Sequence, residues 1–207
     1  MTKTKKNIEH AVTVTNVYKN YGDVKALENM SLDFPRGQLT SLLGPSGCGK
    51  TTLLKIIAGL LPATSGEIVV NGTPVTGPGP DRAFVFQDFA LLPWASVLRN
   101  VAFGLELRGV AKSEREAIAE KYIANVGLAG FENSFPHELS GGMRQRVGLA
   151  RALSVDAQVL LMDDVGQLDP PIAATPDQTI KMLIQQHREQ SLHRHYQEFL
   201  PFYHHCC

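Results

Sequence analysis

The sequence predicts an α/β fold, and three observations support this prediction. Short apolar runs recur along the chain and alternate with segments whose apolar residues have helical spacing. One apolar run leads through a glycine-rich loop directly into a helical segment. No repeat at a fixed period is evident, which excludes solenoids and propellers. Strands that alternate with helices are typical of α/β architectures.

The first predicted elements are strands. The valines from Val12 to Val17 predict an edge strand that ends at the Tyr21-Gly22 turn. A second strand is predicted from Leu27 to Phe34 and is closed by Pro35. A third, from Leu39 to Leu43, leads into the glycine-rich loop.

The glycine-rich loop precedes a predicted helix, because apolar residues from Leu53 to Ile57 have helical spacing up to Gly59. Two strands should follow. One covers Gly66–Val70 and ends at the Asn71-Gly72 turn, and the other covers Ala83–Phe86.

Two helices and a strand complete the predicted architecture. Ser113 and Glu116 predict a capping box for a helix that runs to Val126. Another helix is predicted from about Ser140 to Leu153, and a buried strand from Gln158 to Met162.

Composition and charge exclude several classes of protein. The chain has 207 residues, with 20 Lys and Arg against 20 Asp and Glu, so its charge does not favour nucleic acid or an anionic membrane. No run approaches the roughly 18 apolar residues of a spanning helix. The start lacks a secretory signal, and the three cysteines form no disulfide framework. We therefore expect a cytosolic chain.

The strongest motif is the glycine-rich loop itself, Gly44-x-x-x-x-Gly49-Lys50-Thr51, between a predicted strand and helix. Glycines allow backbone N–H groups to surround phosphates, Lys50 neutralises phosphate oxygens, and the Thr51 hydroxyl can bind Mg²⁺. The alternative is a glycine turn with a helix-capping threonine. The predicted phosphate site consists of Gly44, Pro45, Ser46, Gly47, Cys48, Gly49, Lys50, Thr51 and Thr52.

Two further motifs follow in the order that such a site requires. Asp163 ends the last predicted strand, where a carboxylate can hold Mg²⁺ through water, although a strand can also end at a solvated Asp. Ser140-Gly141-Gly142 opens a predicted helix whose positive end suits a phosphate, although alone it is only an N-cap. Together the three motifs resemble the ATP-binding subunit of ABC transporters.

This resemblance covers about Ile8 to Asp163 and implies a P-loop NTPase fold with an ABC-type β-subdomain and a helical subdomain at about 95–153. It places the ATP-binding domain at 8–166 and an atypical tail, helical or disordered, at 167–207. It also implies ATP and Mg²⁺ as ligands, and a homodimer or a paired ATP-binding subunit, because two such chains sandwich two ATP molecules.

The resemblance assigns roles to individual residues. Tyr21 would stack on adenine, with a strand-end tyrosine as the alternative. Gln87 would reach Mg²⁺, with a solvated loop glutamine as the alternative. Ser140, Gly141 and Gly142 would contact the γ-phosphate of the nucleotide held by the second subunit, and Gln145 is a further candidate for nucleotide binding.

The stretch from Pro78 to Trp94 resembles the nitrate, sulfonate and taurine importer branch. Membrane permease subunits are then implied as partners, and indirectly a substrate-binding protein. The apolar residues from Phe89 to Trp94 would receive a permease helix, pack inside the helical subdomain, or do both.

The resemblance ends after Asp163. The family continues with Glu-Pro-Phe-Gly, whose Glu is the general base, whereas this chain has Asp164-Val165-Gly166. Asp164 is thus the catalytic candidate together with Gln87, but its shorter side chain predicts slow turnover. No apolar strand precedes His195, so this histidine is not a credible switch residue. A truncated, non-hydrolysing ATP-binding protein or an inert degenerate product is the alternative function.

Overall fold

The computed structural model describes residues 10–163. These residues form two compact units, 10–79 and 80–163. Strands and helices occur in the order β1 (His10–Tyr21), β2 (Val24–Pro35), α1 (Lys50–Ile57), β3 (Ser65–Val70), β4 (Thr73–Pro74), β5 (Arg82–Val85), α2 (Val97–Leu107), α3 (Lys112–Asn125), α4 (Gly141–Ser154) and β6 (Val159–Met162). A short 3-10 helix, Pro136–Glu138, precedes α4. Asp164 and the predicted tail lie outside the described residues.

The first unit contains an antiparallel sheet with the strand order β2-β1-β3-β4. The prediction that β1 is an edge strand is wrong, because β1 pairs with β2 on one side and with β3 on the other. Its pairing shifts register between Val14 and Val17, where Asn16 has a φ of 48°. The extra residue of this bulge returns Val17 to the buried face of Val12 and Val14.

The predicted strand from Leu39 to Leu43 is also wrong. These residues have no regular secondary structure, and Leu39 and Leu43 are both half exposed. A strand requires a neighbour for its backbone groups, and neither sheet of the described residues includes this run. An apolar run alone was therefore insufficient evidence for a strand.

Helix α1 follows the glycine-rich loop as predicted. It turns Leu53, Ile56 and Ile57 inward, and all three are at most 4% exposed. This burial explains why a helix of only eight residues is stable here, since its length alone would not make it so.

The second unit has a helical core beside a pair of parallel strands. Strands β5 and β6 pair in parallel from Arg82 with Val159 to Val85 with Met162. Of the last strand only Leu161 is buried, with 7% of its surface exposed, so the predicted buried strand is only partly buried. The core contains buried side chains from β5, α2, α3 and α4: Ala83, Val85, Val97, Val101, Ala102, Ala119, Tyr122, Ile123, Val147, Leu149, Ala150 and Leu153.

Helix α3 starts differently from the prediction. Its N-cap is Ala111, which makes no side-chain cap, so the predicted capping box at Ser113 and Glu116 is wrong. Helix α2 ends with Gly109 in the left-handed region, and the chain is already helical from Lys112. Ser113 therefore lies inside the first turn, where a residue with helical backbone angles cannot be the cap.

Helix α2 itself was not predicted, although the sequence carried its signal. Ser96 caps the helix, with its Oγ accepting a hydrogen bond from the Arg99 N–H at 3.4 Å. Val97, Val101 and Leu105 follow at helical spacing and are buried. Within residues 10–163, no helix is both long and apolar enough to cross a membrane.

Candidate functional site

The phosphate loop, residues 44–52, is a turn that runs into α1, with residues 44–47 exposed and residues 48–52 half-buried. Gly47 and Gly49 have φ angles of 85° and 91°. The Cys48 N–H donates to the Pro45 carbonyl at 3.3 Å, which closes the turn. Gly49 is the N-cap of α1, so the loop delivers the chain to the positive end of a helix. An anion is favoured at such an end.

A side chain at Gly49 would not fit the loop. An ideal Cβ there would lie 2.6 Å from the Ala26 carbonyl oxygen and 2.7 Å from Leu27 Cδ2. Its positive φ would be strained for any other residue in addition. The glycine therefore fixes how closely the phosphate loop approaches β2.

Lys50 folds back over the phosphate loop. Its ammonium donates to the carbonyl oxygens of Gly44 at 2.7 Å and Pro45 at 2.8 Å, and its Nζ lies 3.6 Å from Cys48 Sγ. The positive charge is thus held at the mouth of the turn by oxygen acceptors. Phosphate oxygens offer the same kind of acceptor with the addition of negative charge.

Tyr21 lies at the end of β1, with half of its surface exposed. The Lys19 ammonium lies 5.1 Å from the ring centroid, and the same Nζ donates to the Pro62 carbonyl at 2.8 Å. One face of the ring is therefore occupied by a cation. The stacking of adenine on Tyr21 stays a prediction.

Gln87 and Asp163 follow the carboxyl ends of two paired strands. Val85 is opposite Met162 in the parallel pair, and the Asp163 N–H donates to the Val85 carbonyl at 3.0 Å. Asp163 is 8% exposed, whereas Gln87 is exposed. The structure thus brings both predicted metal-side residues to the same edge of β5 and β6, the edge at which α/β folds bind ligands.

The Ser140-Gly141-Gly142 motif begins α4 as predicted. The Ser140 Oγ accepts a hydrogen bond from the Met143 N–H at 3.2 Å. Ser140 and Gly141 are exposed, and a Cβ added at Gly141 would lie 4.0 Å from its nearest neighbour, Arg144 Nη2. Gln145, in contrast, is only 5% exposed. The end of the helix is open to a ligand, while contact with nucleotide stays a prediction for all four residues.

The chain after β5 forms a second loop, residues 86–96, which we call the Gln87 loop. Phe89 and Ala90 have φ angles of 61° and 41°, although neither is a glycine. Such conformations cost about 1 kcal/mol or more each, so the surrounding structure must impose them. Trp94, near the end of this loop, is 72% exposed.

Two side chains that sequence reasoning missed hold the Gln87 loop. Asn100 is fully buried, and its Oδ1 accepts from the Leu92 N–H at 2.8 Å. Its Nδ2 donates to carbonyl oxygens of residues 92, 95 and 96 at 2.9–3.1 Å. Arg151 donates to two other carbonyls of the loop. For Asn100 the available signal was a polar residue on the apolar face that Val97 and Val101 define.

A comparison with protein families identifies the chain. The model of the ABC transporter family matches residues 27–166. The uncharacterized ABC transporter ATP-binding protein MJ0412 of Methanocaldococcus jannaschii is 49% identical over 171 residues, which are 82% of this chain and 62% of that protein.

Two relatives bear the name taurine import ATP-binding protein TauB. The protein from Yersinia pestis is 48% identical over 174 residues, covering 84% of this chain and 67% of the relative. The protein from Burkholderia pseudomallei is 54% identical over 149 residues, covering 72% and 57%. The predicted resemblance to the nitrate, sulfonate and taurine branch is thereby confirmed. The chain spans between 57% and 67% of the length of these three relatives.

Solved structures of the ATP-binding cassette MJ0796 share this fold. A dimeric structure of a post-hydrolysis state bound to ADP and Pi has a TM-score of 0.76 and 31% identity, covering 86% of this chain and 83% of that chain. A second dimeric structure has a TM-score of 0.70 and 32% identity. The predicted α/β fold of the P-loop NTPase type is confirmed, and the chain belongs to the ABC transporter family of ATP-binding proteins.

Proposed function

We propose that this chain is the ATP-binding and ATP-hydrolysing subunit of an ABC importer for a small anion such as taurine, another sulfonate or nitrate. The observation that carries the proposal is the phosphate loop, where Lys50 and the start of α1 provide the charge and the N–H groups that a nucleotide phosphate needs. The anion class rests on the relatives that are named for taurine import.

The residues present fit Mg²⁺ as well as ATP. The hydroxyl of Thr51, the amide of Gln87 and the carboxylate of Asp163 all offer oxygen atoms, which are the ligands that Mg²⁺ prefers. The ion would neutralise charge on the transferred phosphoryl group. Gln87 and Asp163 follow the carboxyl ends of two paired strands, which supports a shared task at that edge.

The partners would be a second ATP-binding subunit and separate permease subunits, with a substrate-binding protein as an indirect partner. The open start of α4 supports the pairing of two ATP-binding subunits, and both neighbouring cassette structures are dimeric. The chain would thus work as a peripheral protein on the cytoplasmic side of the inner membrane. Its zero formal charge gives no reason to expect nucleic acid as a partner.

Trp94 is the residue on which we expect a permease to dock. It is a large aromatic side chain on the Gln87 loop and is 72% exposed. Tryptophan is one of the residue types that most often contribute a large share of the binding energy at protein interfaces. Leu107, which is 73% exposed in the same unit, provides a matched control. Trp94→Ala should abolish co-purification with the permease encoded beside this chain, while Leu107→Ala should leave it intact. Equal retention of the permease by both variants would exclude this site.

Calorimetric titration with Mg-ATP tests the central proposal. Lys50→Ala should weaken binding by about a hundredfold, because hydrogen bonds of a charged donor to phosphate are among the strongest in proteins. Lys55→Ala is the matched control, since Lys55 lies in the last turn of the same helix and outside the phosphate loop. Equal affinities of all three proteins, or no binding by a folded unmodified chain, would refute the proposal.

The second candidate function is that of a non-hydrolysing ATP-binding protein. The presence of Asp164 where the family has Glu favours this candidate. We expect a kcat for ATP hydrolysis well below roughly one per second, the lower end of the range of typical enzymes. Asp164→Glu should raise the rate if the shorter carboxylate is the cause. A rate of that order in the unmodified chain would rule out the second candidate, and an unchanged zero rate in Asp164→Glu would favour it.

A further inference from the structure

A single side chain connects α4 to the Gln87 loop. The guanidinium of Arg151 donates from Nη1 to the Ala90 carbonyl at 2.8 Å and from Nη2 to the Phe89 carbonyl at 2.7 Å. The two acceptors lie 61 and 62 positions earlier in the chain. Because the guanidinium is planar and has two parallel donors, it fixes both carbonyls in one arrangement.

These two carbonyls belong to the residues of the loop whose backbone conformation is strained. Phe89 and Ala90 are the consecutive non-glycine residues with positive φ. Burial lowers the pKa of Arg151 from its ordinary value, but an arginine stays protonated in proteins, so the bonds are charge-assisted. Gly148, about one turn earlier on α4, lies directly against the loop, since a Cβ added there would be in van der Waals contact with Phe89 Cβ at 3.5 Å.

The position of Arg151 suits a role in nucleotide chemistry. Its two acceptors lie two and three residues after Gln87, which shares an edge of β5 and β6 with Asp163. At the other end of the same helix is the Ser140 cap. Arg151 therefore holds the backbone two and three residues after Gln87.

We propose that Arg151 is a positioning residue for Gln87, which it keeps in place by fixing the Phe89 and Ala90 carbonyls to α4. This inference rests on the proposed function to the extent that Gln87 serves Mg-ATP. It implies that the loss of the two-donor arrangement impairs the contribution of Mg²⁺ to nucleotide binding more than it impairs the binding of ATP alone.

Arg151→Lys is the test variant, because a lysine keeps the charge but cannot present two parallel donors. Arg146→Lys is the matched control on the same helix. The Arg146 Nη1 donates to the Val126 carbonyl at 3.1 Å and the Gly127 carbonyl at 3.3 Å, so it also holds two carbonyls, but in a different loop.

Amide hydrogen exchange measures the Gln87 loop directly, without nucleotide. Peptides that cover residues 86–96 should exchange about tenfold faster in Arg151→Lys than in the unmodified chain, and should not change in Arg146→Lys. Equal acceleration in both variants, or none in Arg151→Lys, would overturn the proposal.

The affinity for ATP with Mg²⁺ and with EDTA measures the consequence. Arg151→Lys should reduce the gain in affinity that Mg²⁺ provides by about tenfold, the effect typical of residues that orient a metal ligand, and leave the affinity in EDTA unchanged. Equal losses in both conditions would indicate a purely structural residue and would overturn the proposal. Should the unmodified chain bind no ATP, the proposed function fails, while the exchange experiment still decides whether Arg151 holds the loop.

A second variant covers a failure to fold. Arg151→Gln keeps a neutral donor at this position, and circular dichroism shows whether each variant is folded. If both Arg151 variants are unfolded while Arg146→Lys is folded, Arg151 is a residue of the fold alone and the proposal is refuted.

Discussion

The phosphate loop and the Gln87 loop both require left-handed backbone angles, but they satisfy this requirement in different ways. The phosphate loop places glycines, Gly47 and Gly49, at its positive φ angles. The Gln87 loop places Phe89 and Ala90 there and is held by hydrogen bonds from α2 and α4. In the first loop the residue type permits the conformation, and in the second the surroundings impose it. The second loop should therefore be the more sensitive to changes elsewhere in the chain.

The largest effect should come from removing the support that α2 gives to the Gln87 loop through Asn100. Asn100→Ala leaves the part-buried N–H of Leu92 and the buried carbonyl of Ala95 without this partner, at about 1–3 kcal/mol for each unsatisfied group. We expect the free energy of unfolding, measured with urea, to fall by about 4 kcal/mol. Asn133→Ala, at an exposed asparagine of the same unit, should change it by less than about 0.5 kcal/mol. A small loss in Asn100→Ala would mean that the loop holds itself.

An effect of intermediate size is expected in the phosphate loop. Gly49→Ala combines a positive φ with a contact of 2.6 Å to the Ala26 oxygen, so we expect a loss of about 2–3 kcal/mol in stability. Gly47→Ala has a similar φ but nothing within 4 Å of its Cβ, and should cost about 1 kcal/mol. The difference between the two variants measures the contact alone. Equal losses in urea unfolding would show that the backbone angle dominates.

The smallest effect should be a gain in stability. Ala90→Gly removes the strain of a φ of 41° but makes the unfolded chain more flexible, so we expect a net stabilisation of about 0.5 kcal/mol. Ala117→Gly, at an exposed position in the middle of α3, should instead destabilise by about 1 kcal/mol. If Ala90→Gly also destabilises in urea unfolding, the comparison between the two loops is wrong, because the Gln87 loop would then carry no strain at Ala90.

The same difference explains what the sequence could predict. The phosphate loop, the strands around Val14 and Ile68, and the start of α4 at Ser140 depend on residues that are close together in the chain. Their patterns were sufficient. Arg151 could not be assigned, because its role depends on the Phe89 and Ala90 carbonyls, which the fold brings to it from 62 and 61 residues earlier in the chain. Asn100 bonds groups only four to eight residues away, so its polar side chain on an apolar face was a usable signal.

The wrong predictions have the same origin. The run from Leu39 to Leu43 is as apolar as a strand, but strand formation depends on a neighbour that the run itself does not specify. The position of β1 inside its sheet depends on β3, which is more than 40 residues away. The capping box at Ser113 failed because the end of α2 had already determined where α3 begins. Patterns of neighbouring residues predicted local structure, whereas contacts between elements decided strand pairing and the start of α3.

The exposed aromatic residue of the Gln87 loop has one more property. Trp94 is the only tryptophan among the 207 residues of the chain. Fluorescence excited selectively at tryptophan therefore comes from one known place, the loop that contains Phe89 and Ala90, two residues before the Ser96 cap of α2. With 72% of its surface in water, its emission should begin at long wavelength and should shift to the blue when a protein covers it. The chain thus carries a native optical reporter at the surface where we expect a permease to bind, and no label needs to be added.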